Sequence, residues 1–288
     1  MKIAVKGAGG FIGRELLAVL NKNGVRVTAL TRDAEGREDT ELCAWRGTDY
    51  SAESLREVLA GCDAVIHLAG IKGTKTELSD YDGDMQMCVN ILDAMSGLGI
   101  KRMVYASSRL VYGNPANVPW TEETVPEPVL AYAKNKVRCE KLILDWADKN
   151  DAAAVILRIA QVLGKGEGTR NMINVFQDLA RAGGQLKVIG KSVARRQYIY
   201  TKDLAEIIRK IVSAEDIETG VINAGMCEAY TNLEIAQAIN KAFRNVTPIV
   251  YDDSAPETIT PSYMDVSKML KITEHVPMDM AHALEDMY

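Results

Sequence analysis

Apolar segments alternate with amphipathic segments through residues 1–160 of this 288-residue chain. The apolar segments have the length and composition of strands: Lys2–Lys6, Val25–Thr31, Leu42–Arg46, Ala64–Leu68, Arg102–Ser107 and Ala153–Ile159. The intervening segments have helical periodicity: Arg14–Lys22, Ala52–Leu59 and Lys134–Asp148. Strands that alternate with helices predict βαβ units and therefore an α/β fold, a doubly wound parallel sheet of the Rossmann type.

The pattern changes after Ile159, where alternation gives way to less regular segments. Helical patterns occupy residues 171–182, 203–213 and 232–243, and strand patterns occupy 195–201 and 221–224, while 248–288 is less regular. We therefore expect a Rossmann domain over residues 1–160 and mainly a smaller, interleaved second domain over 161–288. Elements near 195–224 are expected to return to the first domain.

Composition excludes several classes of function. A net charge of −5 argues against a nucleic-acid or anionic-membrane surface. No apolar run approaches the roughly 20 residues that span a bilayer, and the first residues enter a strand pattern directly, so a cytoplasmic protein is expected. The five cysteines are scattered without metal-ligand spacing, which predicts reduced thiols and no metal site.

A glycine turn follows the first predicted strand and precedes the first predicted helix. Gly7, Gly10 and Gly13 permit a tight turn, close approach of the backbone to a pyrophosphate, and close packing of helix on strand. A helix that begins near Phe11 and Ile12 directs its N–H groups and positive dipole end at the phosphates. The turn predicts a dinucleotide site, which makes 1–160 the dinucleotide-binding domain and 161–288 the substrate-binding domain.

The end of the second predicted strand bears on which dinucleotide binds. An acidic residue is usual there in NAD sites, but this chain has Thr31-Arg32-Asp33. The Arg32 guanidinium suits a 2′-phosphate and favours NADP over NAD. The alternative is that Arg32 is a solvated loop residue and that Asp33 takes the acid's place.

Two further segments fit the cofactor. Asp49 and Tyr50 follow the third predicted strand, where the Asp49 carboxylate is placed to accept a hydrogen bond from the adenine amino group. The fourth predicted strand ends in Leu68-Ala69-Gly70, and these small residues leave room for the dinucleotide.

A Tyr-x-x-x-Lys pair, Tyr132 and Lys136, lies 24 residues beyond Ser108 at the end of the fifth predicted strand. Residues four apart share a helix face, so Lys136 is expected to assist proton transfer by Tyr132 and to hold the nicotinamide ribose. Ser108 is expected to hydrogen-bond the same substrate oxygen. The set predicts redox chemistry at an alcohol or ketone.

With these motifs, the chain resembles the extended short-chain dehydrogenase/reductase family, in particular its nucleotide-sugar epimerase/dehydratase branch. The resemblance implies a nucleotide-sugar substrate, a homodimer built through two helices, and contact between Arg196 and the substrate diphosphate. One departure limits the reaction: the Asp-Glu pair of similar dehydratases is replaced by Arg109 and Leu110. Leucine cannot carry protons, which argues against dehydration and against the related decarboxylation.

Three functions remain after sequence inspection. The family branch favours an NAD(P)-dependent epimerase that passes through a transient ketone. Arg32 and the missing acid favour an NADPH-dependent 4-ketoreductase of a nucleotide-linked deoxysugar. The remaining alternative is an NADP-sensing protein without catalysis, which has no need of a complete Ser-Tyr-Lys set.

Overall fold

The large sheet of this computed structural model is parallel and carries the glycine turn at its centre. The structure describes residues 1–68, 70–71, 73, 75–168, 171–256 and 259–288. Its strands in chain order are β1 Lys2–Lys6, β2 Arg26–Thr31, β3 Cys43–Gly47, β4 Ala64–His67, β5 Arg102–Ser108, β6 Ala153–Ile159, β7 Gln161–Leu163, β8 Lys187–Ile189, β9 Arg196–Tyr200, β10 Gly220–Ala224, β11 Ala229–Tyr230 and β12 Val250–Asp252.

Helices follow most strands of the first half and continue to the end of the chain. In the described residues they are α1 Phe11–Lys22, α2 Ala52–Leu59, α3 Asp82–Leu98, α4 Ala131–Asn150, α5 Met172–Arg181, α6 Thr201–Ser213, α7 Asn232–Ala242, α8 Ser267–Thr273 and α9 Met280–Met287. None of these helices combines the length and the apolar character that crossing a membrane requires.

Strand order places a crevice beside the glycine turn. Seven described strands form one sheet in the order β10-β6-β5-β4-β1-β2-β3. The chain winds outward from β1 to β3 in one direction and from β4 to β6 in the other. The order therefore reverses between β1 and β4, and ligands of open α/β sheets bind at such a point. The predicted Rossmann-type sheet is confirmed.

Apolar side chains cover both faces of the large sheet. One buried cluster joins the sheet to α1 and α6 through residues such as Leu16, Leu20 and Ile208. A second joins the opposite face to α2, α3 and α4 through residues such as Leu55 and Ile143. Burial on both faces explains why the strands read as continuous apolar runs.

The second half of the chain has its own apolar cluster. Its buried members run from Leu163 to Met287 and come mainly from α5, α7, α9 and the small strands. Strand β9 lies between β7 and β11 in a three-stranded sheet, and β8 pairs with β12. By contrast, α6 packs against α1, and β10 extends the large sheet beside β6.

Candidate active site

The glycine turn has the geometry of a phosphate cradle. Gly7 has a φ of 91°, and Gly10 N donates a hydrogen bond to Gly7 O at 3.0 Å. A Cβ on Gly13 would lie 2.1 Å from Gly7 O, so that position requires glycine. Helix α1 begins at Phe11, where the phosphate-binding helix was predicted to begin, and no side chain caps it. Its first N–H groups, including that of Ile12, are therefore available to an anion.

A cavity of about 580 Å³ opens at this turn. Its lining comes from the turn, the end of β2, the start of α3 and the segment after β4: Lys6, Gly7, Gly9, Gly10, Leu30, Thr31, Arg32, Arg37, Tyr50, Gly70, Ile71, Gly83, Asp84 and Met87. We name it the cofactor cavity, because its size, its glycine backbone and its cations fit a dinucleotide with its pyrophosphate.

Tyr50 is held in a strained backbone conformation at the edge of this cavity. It is buried and has a φ of 63°, in the left-handed region that a tyrosine rarely adopts. The Asn90 amide on α3 donates to Tyr50 O at 2.9 Å, and Tyr50 N donates to Thr48 Oγ1 at 3.0 Å. Strain of this kind persists where the surroundings impose it and is concentrated at functional sites.

Two predicted acids have other partners. One oxygen of Asp49 accepts a hydrogen bond from Ser51 N at 2.8 Å, and Asp49 is exposed and does not line the cofactor cavity. The structure therefore does not bring Asp49 to the site as the adenine contact that the sequence predicted. Asp33 likewise accepts from Glu35 N at 2.9 Å and stabilises its own loop.

Arg32 lies at the cofactor cavity beside a second arginine that sequence inspection missed. The Arg37 guanidinium stacks 4.5 Å above the Trp45 ring, and its Nη2 is 3.3 Å from where a Cβ on Gly9 would lie. Arg37 therefore faces the glycine turn from the loop after β2. The sequence feature that points to Arg37 is its position in the same loop as Arg32.

Lys6 and Asp84 form the charged floor of the cofactor cavity. Lys6 is the last residue of β1 and is 4% exposed. Burial lowers the pKa of Lys6 to about 8, and the Asp84 carboxylate opposes this shift. Asp84 also accepts a hydrogen bond from Ile71 N at 2.6 Å. A carboxylate on α3 thus holds the segment after β4 and offsets the lysine charge.

The predicted catalytic side chains converge at a second cavity, of about 530 Å³. Ser108 ends β5, and Tyr132 lies in the first turn of α4. Lys136 is buried, its Nζ donates to Ala106 O at 2.7 Å, and it lies 5.7 Å from the centre of the Tyr132 ring. This brings a phenol, an ammonium group and a hydroxyl to one space. Together these groups are able to transfer a proton to or from a carbinol.

The second cavity adjoins the first. It is lined by Leu68, Gly70, Ile71, Gly73, Ser108, Arg109, Leu110, Tyr132, Lys136, Ile159, Ala160 and Gln161. We name it the catalytic cavity. Gly70 and Ile71 line both cavities, so a dinucleotide that begins at the glycine turn has a route to Tyr132. The predicted Ala69 contact lies outside the described residues.

A buried ion pair anchors the catalytic helix to the sheet. Glu140, one turn after Lys136, accepts hydrogen bonds from Ser107 Oγ and, at 2.8 Å, from Arg158 Nη2. Ser107 and Arg158 are paired neighbours on β5 and β6. Because Glu140 and Arg158 are each 5% exposed, this contact fixes how α4 presents Tyr132 and Lys136.

Two arginines, Arg109 and Arg196, are candidates for contact with a substrate. Arg109 follows Ser108, lines the catalytic cavity and donates to Ser262 Oγ. Arg196, predicted to meet the substrate, does not line that cavity and donates to Asn232 Oδ1 at 2.7 Å. Its Nε is buried without a hydrogen-bond partner in the described structure. Sequence inspection noted Arg109 as a departure from the family and gave it no role.

No cluster of three or more His, Cys, Asp or Glu side chains able to hold a metal ion is found in the part of the chain that the structure describes. The four buried cysteines and the exposed Cys227 are free thiols. The two cavities bring together a phenol, cations, hydroxyls, backbone N–H groups and the Asp84 carboxylate.

Two 4-epimerases of UDP-sugars are similar to this chain, one in sequence and one in sequence and fold. The chain is 28% identical over 269 residues to UDP-glucose 4-epimerase of Lactobacillus helveticus, covering 84% of this chain and 81% of that protein. It is 32% identical to UDP-N-acetylglucosamine 4-epimerase from Bacillus cereus, with a TM-score of 0.89 and coverage of 100% and 98%.

A third similarity concerns the fold alone. The UDP-glucose 4-epimerase of Thermus thermophilus, solved in complex with NAD, is 20% identical with a TM-score of 0.81, covering 100% of this chain and 97% of that one.

The model of the NAD dependent epimerase/dehydratase family matches residues 3–225. The chain therefore belongs to the NAD-dependent epimerase/dehydratase family of enzymes.

Proposed function

We propose that this protein is an NAD(P)-dependent epimerase that inverts C4 of a nucleotide sugar through a transient ketone. The observation that carries the proposal is the continuity of the two cavities, with Gly70 and Ile71 shared between the glycine turn and the Ser108-Tyr132-Lys136 set. The similar proteins named above are described as 4-epimerases of UDP-sugars, which supports a UDP-sugar as the substrate.

Tyr132 is proposed as the general base and acid. Its phenolate removes the proton of the C4 hydroxyl while a carbonyl forms at C4. After the ketone has rotated to present its other face, the same phenol returns a proton to that oxygen. A bound nicotinamide supplies the hydride acceptor and donor at C4. The ammonium group of Lys136, 5.7 Å from the centre of the Tyr132 ring, offsets negative charge that develops on the phenol oxygen during the transfer.

Ser108 and Leu110 favour oxidation and reduction at C4 over loss of water. The Ser108 hydroxyl lines the catalytic cavity and is placed to donate to the C4 oxygen, which keeps that oxygen near Tyr132. Leu110 lines the same cavity and has no proton to exchange. The site therefore favours oxidation and reduction at C4 over loss of water.

Arg196 is proposed to meet the diphosphate of the bound nucleotide. It lies outside the lining of the catalytic cavity, and its buried Nε has no partner among the described residues. A guanidinium with an unused donor suits a phosphate oxygen.

A substrate panel tests this proposal. The purified protein is incubated with UDP-glucose, UDP-N-acetylglucosamine or UDP-glucuronic acid without added dinucleotide, and products are identified by NMR. We expect the C4 epimer of at least one sugar. Formation of a 4-keto-6-deoxy product, or no epimer from any nucleotide sugar with NAD and NADP supplied, would contradict the proposal.

Arg32 and Arg37 support the second candidate, an NADPH-dependent 4-ketoreductase. Both guanidinium groups border the cofactor cavity at the end of β2, and Asp33 is engaged with Glu35 N. Two cations at this position favour a cofactor with a 2′-phosphate. Mass spectrometry of the dinucleotide released by denaturation separates the candidates. Near-stoichiometric NAD supports the epimerase, and an empty protein that prefers NADPH to NADH supports the reductase.

We also infer a homodimer through α3 and α4. Val89 on α3 is 38% exposed, and a groove of about 300 Å³ runs between α3 and α4 with Leu142 and Trp146 on its α4 side. Light scattering of the wild type and of Val89→Glu tests this interface. We expect a dimer for the wild type and a monomer for the variant, and a monomeric wild type would overturn the inference.

A further inference from the structure

The lining of the catalytic cavity has an unbalanced positive charge. Arg109 and Lys136 line it, and no acidic side chain does so among the described residues. Lys136 already has partners: its Nζ donates to Ala106 O at 2.7 Å, and the Asp84 carboxylate lies nearby, since a Cβ on Gly70 would be within 4 Å of both groups. A cavity with cations and no carboxylate attracts an anionic group of a ligand.

Arg109 differs from other shielded arginines of this protein. Arg158 pairs with Glu140 at 2.8 Å, and Arg209 pairs with Glu206. Arg109 donates only to the neutral hydroxyl of Ser262, and no described carboxylate lies within ion-pair distance of it. Burial lowers the pKa of Arg109, the nearby Tyr198 opposes this shift, and the charge of Arg196 adds to it.

The half-buried guanidinium of Arg109 therefore has no carboxylate partner among the described residues. An arginine fork has five N–H donors, and Arg109 uses one of its terminal nitrogens on Ser262. Removing a charge from water without an opposing charge is unfavourable, and a paired anion offsets this cost. The remaining donors border the catalytic cavity, where only a ligand can supply the anion.

A second guanidinium, that of Arg196, lies near Arg109 but outside the lining of the catalytic cavity. Ser262 forms an isolated β-bridge with Arg196, so the hydroxyl that holds Arg109 is carried by the residue beside Arg196. The Nε of Arg196 is buried without a partner in the described residues. Two incompletely satisfied guanidinium groups on either side of Ser262 reinforce the preference for an oxyanion.

We propose that Arg109 binds an oxyanion of the nucleotide sugar and thereby determines which substrates the catalytic cavity accepts. The oxyanion is a carboxylate on the sugar or an oxygen of the diphosphate, because both groups match the guanidinium fork. This proposal rests on the proposed function, since it takes a nucleotide sugar as the ligand. Arg109 directly follows Ser108, which places the bound anion beside the hydroxyl proposed to orient C4.

Calorimetric binding tests the proposal without depending on turnover. The probes are UDP, UDP-glucose and UDP-glucuronic acid, and the proteins are the wild type, Arg109→Gln and Arg109→Lys. Arg195→Gln is the matched control, because Arg195 is an exposed neighbour of Arg196 that pairs with Glu234. Thermal melting of each variant confirms that it is folded, and Arg109→Lys retains the charge if Arg109→Gln does not fold.

The three probes identify the source of the oxyanion. If Arg109 meets the diphosphate, Arg109→Gln weakens all three probes by about 10- to 100-fold. If it meets a sugar carboxylate, only UDP-glucuronic acid is weakened to that extent. We expect Arg109→Lys to fall between the wild type and Arg109→Gln, and Arg195→Gln to bind within about twofold of the wild type.

Two results would overturn the proposal and are distinguishable. Equal binding of every probe to the wild type and to both Arg109 variants overturns the role of Arg109 alone. A wild type that binds none of the three probes contradicts the proposed function and this proposal with it.

Discussion

The cofactor cavity and the catalytic cavity balance their charges in different ways. In the cofactor cavity, the cations Lys6, Arg32 and Arg37 face a carboxylate of the protein, Asp84. In the catalytic cavity, Arg109 and Lys136 face no acidic side chain of the described lining. The first cavity is thus partly balanced before any ligand binds. The second obtains its balance from the ligand, so its selectivity depends on the charge of the substrate.

The two cavities also differ in how the chain builds them. The phosphate cradle is a single β1–turn–α1 unit, whose geometry depends on glycines a few residues apart. The catalytic cavity combines the segment after β4, the end of β5, the start of α4 and the end of β6. Changes in the turn should therefore act through cofactor binding and local stability, while changes at the second cavity should act directly on turnover and substrate choice.

Tyr132→Phe should have the largest effect. Without the phenol, general acid–base catalysis is lost, and we expect turnover to fall by about 10²- to 10⁴-fold. Affinity for the dinucleotide should stay within about twofold, because the glycine turn is untouched. Steady-state kinetics and fluorescence titration measure the two quantities, with the remote Tyr251→Phe as control. Retention of wild-type turnover would contradict the role of Tyr132 as general base and acid.

Gly13→Ala should damage the cofactor cavity. The added Cβ would lie 2.1 Å from Gly7 O, so the turn or the helix must move. Overpacking of this kind costs about 1–3 kcal/mol in unfolding free energy, and dinucleotide affinity should fall with it. Gly97→Ala is the matched control, since its Cβ would meet only the Arg56 side chain, at 3.6 Å. Denaturant titration that shows equal stability for both variants would contradict this picture of the turn.

The double variant Arg32→Ala/Arg37→Ala removes both guanidinium groups. It should change the preference of the protein for NADP over NAD. If they hold a 2′-phosphate, the NADP-to-NAD affinity ratio falls by about tenfold, because charge-assisted hydrogen bonds to phosphate are lost. Arg46→Ala is the control, since Arg46 pairs with Asp39 and does not line the cofactor cavity. An unchanged ratio would show that Arg32 and Arg37 do not hold a 2′-phosphate.

Lys6 should give dinucleotide binding a pH dependence. Burial lowers the pKa of Lys6 to about 8. The Asp84 carboxylate opposes this shift, and the charges of Lys136 and Arg32 add to it. The ammonium charge is therefore lost as pH rises through 8. We expect affinity for the anionic cofactor to fall about three- to tenfold between pH 7 and 9. Lys6→Met should remove this step. The same pH profile in both proteins would assign the titration to another group.

The same titration of Lys6 changes folding stability in the direction opposite to its effect on dinucleotide affinity. The unfolded chain keeps the Lys6 proton up to a pKa near 10.5, whereas the folded protein releases it near 8. Between these values the unfolded state binds more protons, so the Lys6 contribution to folding stability rises with pH.

Sequence inspection located the features that depend on short spacings. The glycine turn, the sheet and the Tyr132–Lys136 pair follow from local pattern, and predicted strands such as Ala153–Ile159 have the observed bounds. Helix α3 was not among the predicted segments. Its apolar residues occupy more than one face, with Val89 and Leu98 38% and 37% exposed, and this weakens the helical periodicity.

The remaining parts of the site depend on tertiary contacts that spacing does not specify. Asp84 lines the cofactor cavity because the start of α3 lies beside the segment after β4, whose Ile71 N donates to it, and Arg37 lines it because its side chain stacks over Trp45. Asp49 was assigned to adenine by position, but its carboxylate stabilises the start of α2 through Ser51 N. Arg109 enters the catalytic cavity through a short 3₁₀ turn after β5, over Arg109–Val111.

Transfer of a deuterium label tests the central claim most directly. A nucleotide sugar that is epimerised in the substrate panel is prepared with deuterium at C4 and incubated with the protein in ordinary water without added dinucleotide. The proposed mechanism predicts that the C4 epimer retains deuterium at C4, because hydride leaves and returns within one site. Loss of the label to water would mean that C4 is inverted by proton exchange, and it would contradict inversion through a transient ketone.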